Sequence, residues 1–248
     1  YVRPAGLVYG PDARQIIQEG RGASLGGLSA LAYTMVESIE RDGTHLRRHL
    51  GAGTLPRQTV LPQFLSSGRP LVMGIVNVTP DSFSDGGLHA STCAAVAQCE
   101  ALVAQGADIL DIGGESTRPG TTPVPLDQEL ARVLPVLREA VMLGVPVSVD
   151  TYKPEVMRQA LDLGADIIND IWALRQPGAR EAVAAHTSCG VCLMHMHGEP
   201  QTMQRSPMEG DAVPQVLAFL KAQTAALQAL GVDTARITWD PGIGFGKT

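Results

Sequence analysis

The sequence predicts an α/β fold of the (β/α)8 TIM-barrel type, truncated after its sixth strand and preceded by an N-terminal extension. From residue 71 onward, short apolar runs alternate with amphipathic helical stretches, a pattern that predicts parallel strands joined by helices. Each strand with its helix takes about 30 residues, the size of a βα repeat. No G-x-G-x-x-G turn follows the first run, which disfavours the alternative, an open dinucleotide-binding sheet.

The individual elements follow from apolar spacing and from glycines. Strands are predicted at 71–76, 108–112, 146–149, 166–168, 191–194 and 236–239. Helices are predicted at 92–105, 126–143, 154–163, 178–186 and 213–230, where apolar residues recur on one helical face. Four helices are followed by glycines in the position of a left-handed cap: Gly106, Gly144, Gly164 and Gly231. Six strands are two fewer than a closed eight-unit barrel needs.

Residues 1–67 have a different pattern and are predicted to form an N-terminal extension of unknown role, with the barrel domain at 68–248. A strand is expected within residues 1–10, and two amphipathic stretches follow near 11–19 and 25–40. The basic pair Arg47 and Arg48 and the segment 51–63, which contains proline and glycine, are predicted to be a linker or lid.

Composition narrows the functional class. The formal net charge of −6 disfavours a nucleic-acid surface, which needs clustered lysine and arginine. No apolar run approaches the ~20 residues of a membrane span, and no signal-peptide pattern begins the chain, so a cytoplasmic protein is expected. Four cysteines are too few for a disulfide framework in 248 residues and are interpreted as reduced thiols.

Polar residues follow nearly every predicted strand, and in a barrel of this type they would face the active site. A single such residue is more often a turn former or helix cap than a ligand-binding group, but an ordered set is not. An amide oxygen can bind a hard cation, and threonine with arginine suits an oxyanion. Carboxylates and an amide together offer hydrogen bonds to a heterocycle with amide and amine groups. The set comprises Asn77, Thr117, Arg118, Asp150, Asn169 and Asp240.

Three nearby patterns have simpler interpretations. His195 and His197 are two residues apart, so on a strand they point to opposite faces and do not form one metal site. Cys189 and Cys192 have no partner pair elsewhere and are interpreted as buried thiols. The glycine-rich segment that contains Lys247 lacks the spacing of a phosphate-binding loop. It is interpreted as a loop in the wall of the site, with Lys247 near the rim of the barrel.

Six phrases of the sequence, in this order, resemble the dihydropteroate synthase family of pterin-binding enzymes. Two of them, the runs at 77–87 (Asn-Val-Thr-Pro-Asp-Ser-Phe-Ser-Asp-Gly-Gly) and 114–120 (Gly-Glu-Ser-Thr-Arg-Pro-Gly), are similar to the family's signatures. The others are Ser-Val-Asp-Thr at 148–151, Ile-Asn-Asp at 168–170, Cys-Leu-Met-His-Met at 192–196 and the segment 240–247. Methyltetrahydrofolate-dependent methyltransferases share the superfamily, and the first two phrases favour the synthase.

The resemblance implies condensation of (7,8-dihydropterin-6-yl)methyl diphosphate with 4-aminobenzoate, with Mg²⁺, in folate biosynthesis. It implies that Asn77 binds the metal and that Asp150 and Asp240 are catalytic. It further implies a homodimer and competition by sulfonamides at the 4-aminobenzoate site, which Thr117, Arg118, Pro119 and Phe245 would border. The substrate-binding set implied is Thr117, Arg118, Pro119, Asp150, Asn169, Ile171, Met194, Asp240, Gly244 and Phe245. Within this set the resemblance implies that Ile171, Met194, Gly244 and Phe245 form the apolar walls of the site.

The family pattern continues with a Ser-Arg-Lys phrase and an Arg-x-His phrase, neither of which follows the sixth predicted strand in this sequence. The chain alone is therefore expected to turn over its substrate poorly. The alternatives are a noncatalytic or fragmentary pterin-binding protein and a methyltetrahydrofolate-type methyltransferase relative.

Overall fold

A computed structural model describes residues 2–25, 28–42, 45–52, 70–79, 87–116, 121–200 and 202–247. The chain divides into two compact units, Tyr1–Leu71 and Val72–Thr248. In the described residues, no helix combines the length and the apolar character that crossing a membrane requires.

In its described residues, the first unit is an antiparallel sheet with one helix, and its elements are β1 (Val2–Tyr9), α1 (Gly10–Gln18), β2 (Ala23–Leu25), β3 (Leu28–Asp42) and β4 (His45–Gly51). Its central strand β3 pairs with the other three, so that β1, β3 and β2 are neighbours and β4 also pairs with β3. Ala32, Val36 and Ile39 of β3 are buried. The buried Glu37 accepts a hydrogen bond from Arg3 at 2.5 Å.

The expectations for the N-terminal residues are met in part. The strand within residues 1–10 is present as β1, and the first amphipathic stretch forms α1. The second amphipathic stretch forms the 15-residue strand β3, because three neighbouring strands supply its backbone hydrogen bonds. Arg47 and Arg48 lie in β4, so the linker prediction is wrong for this pair. Residues 53–63 of the predicted linker lie outside the described residues.

The described residues of the second unit form a parallel sheet whose six strands are neighbours in sequence order. This order is that of a singly wound βα barrel, whereas a doubly wound sheet would reverse it at a switch point. The α/β barrel-type prediction is confirmed. The strands are β5 (Met73–Asn77), β6 (Ile109–Gly113), β7 (Val147–Asp150), β8 (Ile167–Asp170), β9 (Gly190–Met194) and β10 (Ile237–Asp240). The helices are α2 (Gly87–Ala104), α3 (Leu126–Ala140), α4 (Pro154–Asp162), α5 (Ala179–Ala185) and α6 (Val213–Ala229).

The main core lies between the outer face of this sheet and the helices. Val76, Ile112, Val149, Ile168 and Leu193 contribute one side chain from each of five strands, and all are almost completely buried. Burial of each such side chain stabilises the fold by about 1.5–3 kcal/mol. The helices add Leu137, Met157 and Leu220 to the same core. The four glycines predicted as helix caps all have positive φ, between 77° and 101°.

The inner face of the sheet differs from the outer face because side chains alternate along a strand. In β5, Gly74 and Val76 are buried, whereas Met73, Ile75 and Asn77 are exposed on the other face. Five of the six strands also end one or two residues later than predicted, because backbone pairing continues after the apolar pattern stops. As a result Asn77, Asp150 and Asp240 are the last residues of their strands instead of lying beyond them.

Candidate active site

Strand register places four of the strand-end positions in one row. Asn77 is opposite Gly113, Gly113 is opposite Asp150, and Asp150 is opposite Asn169. Residues that are opposite one another on parallel strands point to the same face of the sheet, here the inner face. Since neighbouring strands lie about 4.8 Å apart, these side chains lie side by side. The row supplies a carboxylate, two amides and one position without a side chain.

Gly113 leaves a gap between two of these polar groups. A Cβ at this position would lie 3.7 Å from Asp150 Oδ2 and 3.8 Å from Asn77 Oδ1. These are ordinary contact distances, so a methyl group would fit there and would occupy the space between the carboxylate and the amide. Glycine therefore keeps that space open for a ligand.

Asp150 is half-buried, and its carboxylate accepts no hydrogen bond from the described residues. Burial raises the pKa of this group well above its ordinary value, and the negative charges of Asp111, Asp170, Glu129 and Glu115 raise it further. A carboxylate that lacks a cationic partner in such surroundings strongly favours a ligand that carries hydrogen-bond donors or positive charge.

Asp240 ends the sixth strand of the sheet opposite Met194, and Met194 lies two residues beyond the partner of Asn169 on β9. Oδ1 of Asp240 accepts a hydrogen bond from the Gly242 backbone N–H at 2.7 Å. Gly242 has φ 65°, and a Cβ there would lie 2.0 Å from the His195 carbonyl oxygen. The close approach of the loop after β10 to β9 therefore requires glycine at this position.

Lys247 holds the same loop from its far end. Its Nζ donates to the carbonyl oxygens of His195 and Gly242 at 2.9 Å and of Phe245 at 3.1 Å. The ammonium is thus satisfied by the backbone, and burial lowers its pKa. Lys247 thus fixes this loop by hydrogen bonds to its backbone, and its side chain is not extended into solvent at the rim of the barrel. Gly244 lies in the clamped segment with φ 89° and is exposed.

An apolar cluster lies at the carboxyl ends of β8 and β9. Ile171, Met194, Met196 and Met203 are buried together, with the partly buried Trp172 and Phe245 packed against them. Three of the predicted wall residues, Ile171, Met194 and Phe245, are therefore in one cluster. Met196, Met203 and Trp172 were not predicted, although the methionine-rich sequence after β9 was a signal for an adaptable apolar surface.

Asp170 shapes the segment that carries Ile171 and Trp172, and it too was not predicted. Its carboxylate is fully buried and accepts backbone hydrogen bonds from Trp172 and Leu174, each at 2.7 Å. Ala173 and Leu174 have φ of 52° and 56°, which side-chain-bearing residues seldom adopt. Burial raises the pKa of Asp170 to about 7 despite these two hydrogen bonds. The Asn-Asp pair at a strand end was the available signal, because such side chains commonly bond backbone N–H groups two residues on.

A partly buried ionic network lies beside the row. Lys153 Nζ donates to Glu115 Oε2 at 2.5 Å and also to Glu129, and Tyr152 donates to Glu115 at 3.0 Å. Thr151 Oγ1 donates to the other oxygen of Glu129 at 2.5 Å. The network connects the loops after β6 and β7 with helix α3. Sequence reasoning missed it because the three charged residues are far apart along the chain.

A cavity of about 230 Å³ opens next to this network and to the apolar cluster. Tyr152 and Trp172 lie on its walls with ring centroids 5.9 Å apart. The other lining residues are Glu115, Ser116, Thr121, Pro123, Ile171, Gln176, Glu199 and Pro200.

Some predicted site residues lie outside the described residues, namely Thr117, Arg118 and Pro119. Asn77 is exposed at the end of β5. Among the described residues, no group of three or more histidine, cysteine, aspartate or glutamate side chains could hold a metal ion. A single amide oxygen at Asn77 nevertheless fits Mg²⁺, which commonly takes one or two protein ligands and completes its shell with phosphate oxygens and water.

Comparison with known proteins assigns the family. The model of the family described as "Pterin binding enzyme" matches residues 73–248. Dihydropteroate synthase of Neisseria meningitidis serogroup C is 52% identical over 182 residues, which are 73% of this chain and 64% of the relative. The crystal structure of Burkholderia cenocepacia dihydropteroate synthase complexed with 7,8-dihydropteroate is 55% identical with a TM-score of 0.65 and covers 73% of this chain and 61% of its own. The structure of Xanthomonas albilineans dihydropteroate synthase with 4-aminobenzoic acid is 54% identical with a TM-score of 0.66. The match covers 73% of this chain and 64% of the X. albilineans chain.

This chain thus spans less than two thirds of the length of these relatives. The family match covers the parallel sheet with its polar row and apolar cluster, and the chain belongs to the pterin-binding enzyme family.

Proposed function

We propose that this chain carries the pterin-binding part of a dihydropteroate synthase, which condenses (7,8-dihydropterin-6-yl)methyl diphosphate with 4-aminobenzoate. The observation that carries the proposal is the row of Asn77, Asp150 and Asn169 on one inner face, with the Asp150 carboxylate unpaired among the described residues. The synthases of N. meningitidis, B. cenocepacia and X. albilineans support it through their identity to this chain.

The pterin ring needs both polar and apolar contacts. A pterin carries ring N–H and amino donors along one edge, and Asp150, Asn169 and Asp240 offer acceptors to such an edge. The faces of the ring are apolar, and Ile171, Met194 and Phe245 would cover them. Gly244 directly precedes Phe245 and has no side chain, so the backbone beside Phe245 would be open to the ligand.

Transfer breaks the C–O bond between the pterin methylene and diphosphate and forms a C–N bond to the amine, which loses one proton. Positive charge develops on the methylene as diphosphate departs, and Asp150 and Asp240 stabilise that charge electrostatically. When bound, Mg²⁺ neutralises charge that accumulates on the leaving diphosphate. Asn77 would hold the metal, and Thr117 would bind the diphosphate.

The second substrate, 4-aminobenzoate, would lie beside Thr117, Arg118, Pro119 and Phe245. An arginine fork suits its carboxylate, and an aromatic ring suits its apolar face. The same contacts predict competition by sulfonamides. A homodimer also stays a prediction, which sedimentation equilibrium of the purified chain would test.

Calorimetry tests the proposal directly. The chain is titrated with a dihydropterin and with its methyl diphosphate, each with and without Mg²⁺, and a coupled assay then follows diphosphate release with 4-aminobenzoate. We expect pterin binding that becomes tighter with diphosphate and Mg²⁺ together. Binding that gains nothing from diphosphate would favour a noncatalytic pterin-binding protein, and no pterin binding at all would refute the proposal.

A further inference from the structure

Asp111 is a buried carboxylate on the inner face that none of the proposed roles uses. It lies on β6 two residues before Gly113, so its side chain points to the same face as the polar row. Only 6% of the residue is exposed. Its Oδ2 accepts a hydrogen bond from Nδ2 of Asn169 at 3.2 Å, across 58 residues of sequence.

This hydrogen bond determines which end of the Asn169 amide is available to a ligand. An ionised carboxylate can only accept hydrogen bonds, so the amide nitrogen must face Asp111. The amide oxygen of Asn169 is then directed away from Asp111. Without such a partner, the two orientations of an asparagine amide differ little in energy, and either atom could face the ligand.

The second oxygen of Asp111 has an unusual environment. Oδ1 is buried and has no hydrogen-bond partner among the described residues. Ser148 on the facing strand is close enough to lower the pKa of Asp111 but does not form a hydrogen bond of normal length. A buried acceptor without a partner is destabilising, and such groups are uncommon in native proteins.

Asp111 also acts on the principal carboxylate of the row, because its negative charge is one of the causes that raise the pKa of Asp150. Burial is the main cause that raises the pKa of Asp111 itself, and the Asn169 amide partly offsets it. The residue is thus linked to two of the proposed ring-binding groups, by a hydrogen bond to Asn169 and electrostatically to Asp150.

We propose that Asp111 is a positioning residue for pterin recognition, which orients Asn169 so that the amide oxygen accepts a hydrogen bond from a ring N–H or amino group. The pterin part of this inference rests on the proposed function, whereas the orientation of Asn169 does not. The two parts can therefore be tested separately.

The orientation is tested by NMR without ligand. Asn77 and Asn169 are the two asparagines in the 248-residue sequence, so ¹⁵N-asparagine labelling yields two side-chain amide signals, and Asn77→Ala assigns them. We expect the Asn169 side-chain protons to exchange with solvent more slowly than those of the exposed Asn77. Asp111→Ala should remove this protection and leave the Asn77 signals unchanged. An unchanged Asn169 signal in Asp111→Ala would overturn the proposal.

The effect on recognition is tested by calorimetry with dihydropterin methyl diphosphate and Mg²⁺. Asp111→Ala should weaken binding by ~10-fold, about the contribution of one hydrogen bond. In an Asn169→Ala background the same substitution should have little further effect, because Asp111 then has no amide to orient. An equal loss in both backgrounds would show that Asp111 does not act through Asn169 and would overturn the proposal.

Two further variants keep these measurements interpretable. Asp111→Asn preserves the shape of the side chain and one acceptor, so it should fold even if Asp111→Ala does not, and its loss of affinity should be about 3-fold. Thr224→Val removes the acceptor of the Trp239 indole N–H, 2.8 Å away on the outer side of the sheet. It should lower stability without changing pterin affinity. If the unsubstituted chain binds no pterin, the proposed function fails, while the NMR result still decides the orientation of Asn169.

Discussion

Lys153 donates a hydrogen bond to Glu115 at 2.5 Å, across 38 residues of sequence, and so connects the loops that follow β6 and β7. Its second partner is Glu129 on α3, which is 1% exposed. One cation therefore pairs with two carboxylates that approach it from different elements. The network includes Thr151, which directly follows Asp150, and its two carboxylates contribute to the raised pKa of Asp150. Its integrity therefore matters for the site.

Replacement of Lys153 by methionine should destabilise the protein strongly. The substitution leaves the Glu129 carboxylate buried without its cation, and breaking a buried pair in this way typically costs about 3–5 kcal/mol. Urea unfolding followed by circular dichroism measures the loss. Arg158→Gln is the control, because it breaks an exposed pair with Glu155 on α4, and such pairs contribute about 0–1 kcal/mol. Equal losses in the two variants would contradict the role assigned to the network.

Asp170 predicts a pH dependence of stability. Its pKa is about 7 in the folded protein and near its ordinary value of 3.8 in the unfolded chain. The folded state therefore binds more protons between these values, and the stability that Asp170 contributes is lost as pH rises from about 4 to about 7, at up to ~1.4 kcal/mol per pH unit. Asp170→Asn cannot ionise and should show a flatter profile. Parallel profiles from unfolding at pH 4, 5, 6, 7 and 8 would contradict the assignment.

Gly113→Ala should separate ligand binding from folding. The new methyl group meets Asp150 and Asn77 at ordinary contact distances, so stability should change by less than about 1 kcal/mol. It occupies the gap between them, so dihydropterin diphosphate should bind at least ~10-fold more weakly. Calorimetry and thermal unfolding measure the two effects.

Gly242→Ala should lower stability, in contrast to Gly113→Ala, and is therefore the comparison variant. Its Cβ would lie 2.0 Å from the His195 carbonyl oxygen, and φ is 65°, so the loop must move and stability should fall by about 1–3 kcal/mol. If Gly113→Ala binds the pterin normally, the space beside Asp150 is not part of the ligand site.

Asp150→Ala should abolish detectable pterin binding at a small cost in stability. The carboxylate has no hydrogen-bond partner among the described residues, and its ionised form is disfavoured by burial and by neighbouring negative charges. Its removal therefore relieves repulsion while it deletes an acceptor for the ring. Calorimetry with a dihydropterin, together with urea unfolding, tests both parts. Unchanged affinity would remove Asp150 from the site.

Much of the fold and part of the site could be predicted from the sequence because the signals are local. Short apolar runs between amphipathic stretches indicated six strands. A glycine after a helix indicated positive φ at Gly106, Gly144, Gly164 and Gly231. The recurrence of polar residues at successive strand ends selected Asn77, Asp150 and Asn169, since parallel strands bring their carboxyl ends to one edge of the sheet. The wall residues Ile171, Met194 and Phe245 were selected by resemblance to the family, and the structure places them in one cluster.

The interactions between the site residues depend on long-range contacts in the tertiary structure. The bond from Asn169 to Asp111 and the bridge of Lys153 to Glu115 and Glu129 span 58, 38 and 24 residues of sequence. Such contacts depend on which strands are neighbours and in which register, and no local pattern encodes that. The pKa of Asp150 likewise depends on burial and on four negative charges, which lie on β6, in the loop after β6, on α3 and on β8. Local sequence patterns were therefore sufficient to identify the strands and the polar residues at their ends, whereas long-range packing determined how those residues are oriented and which of their pKa values are raised.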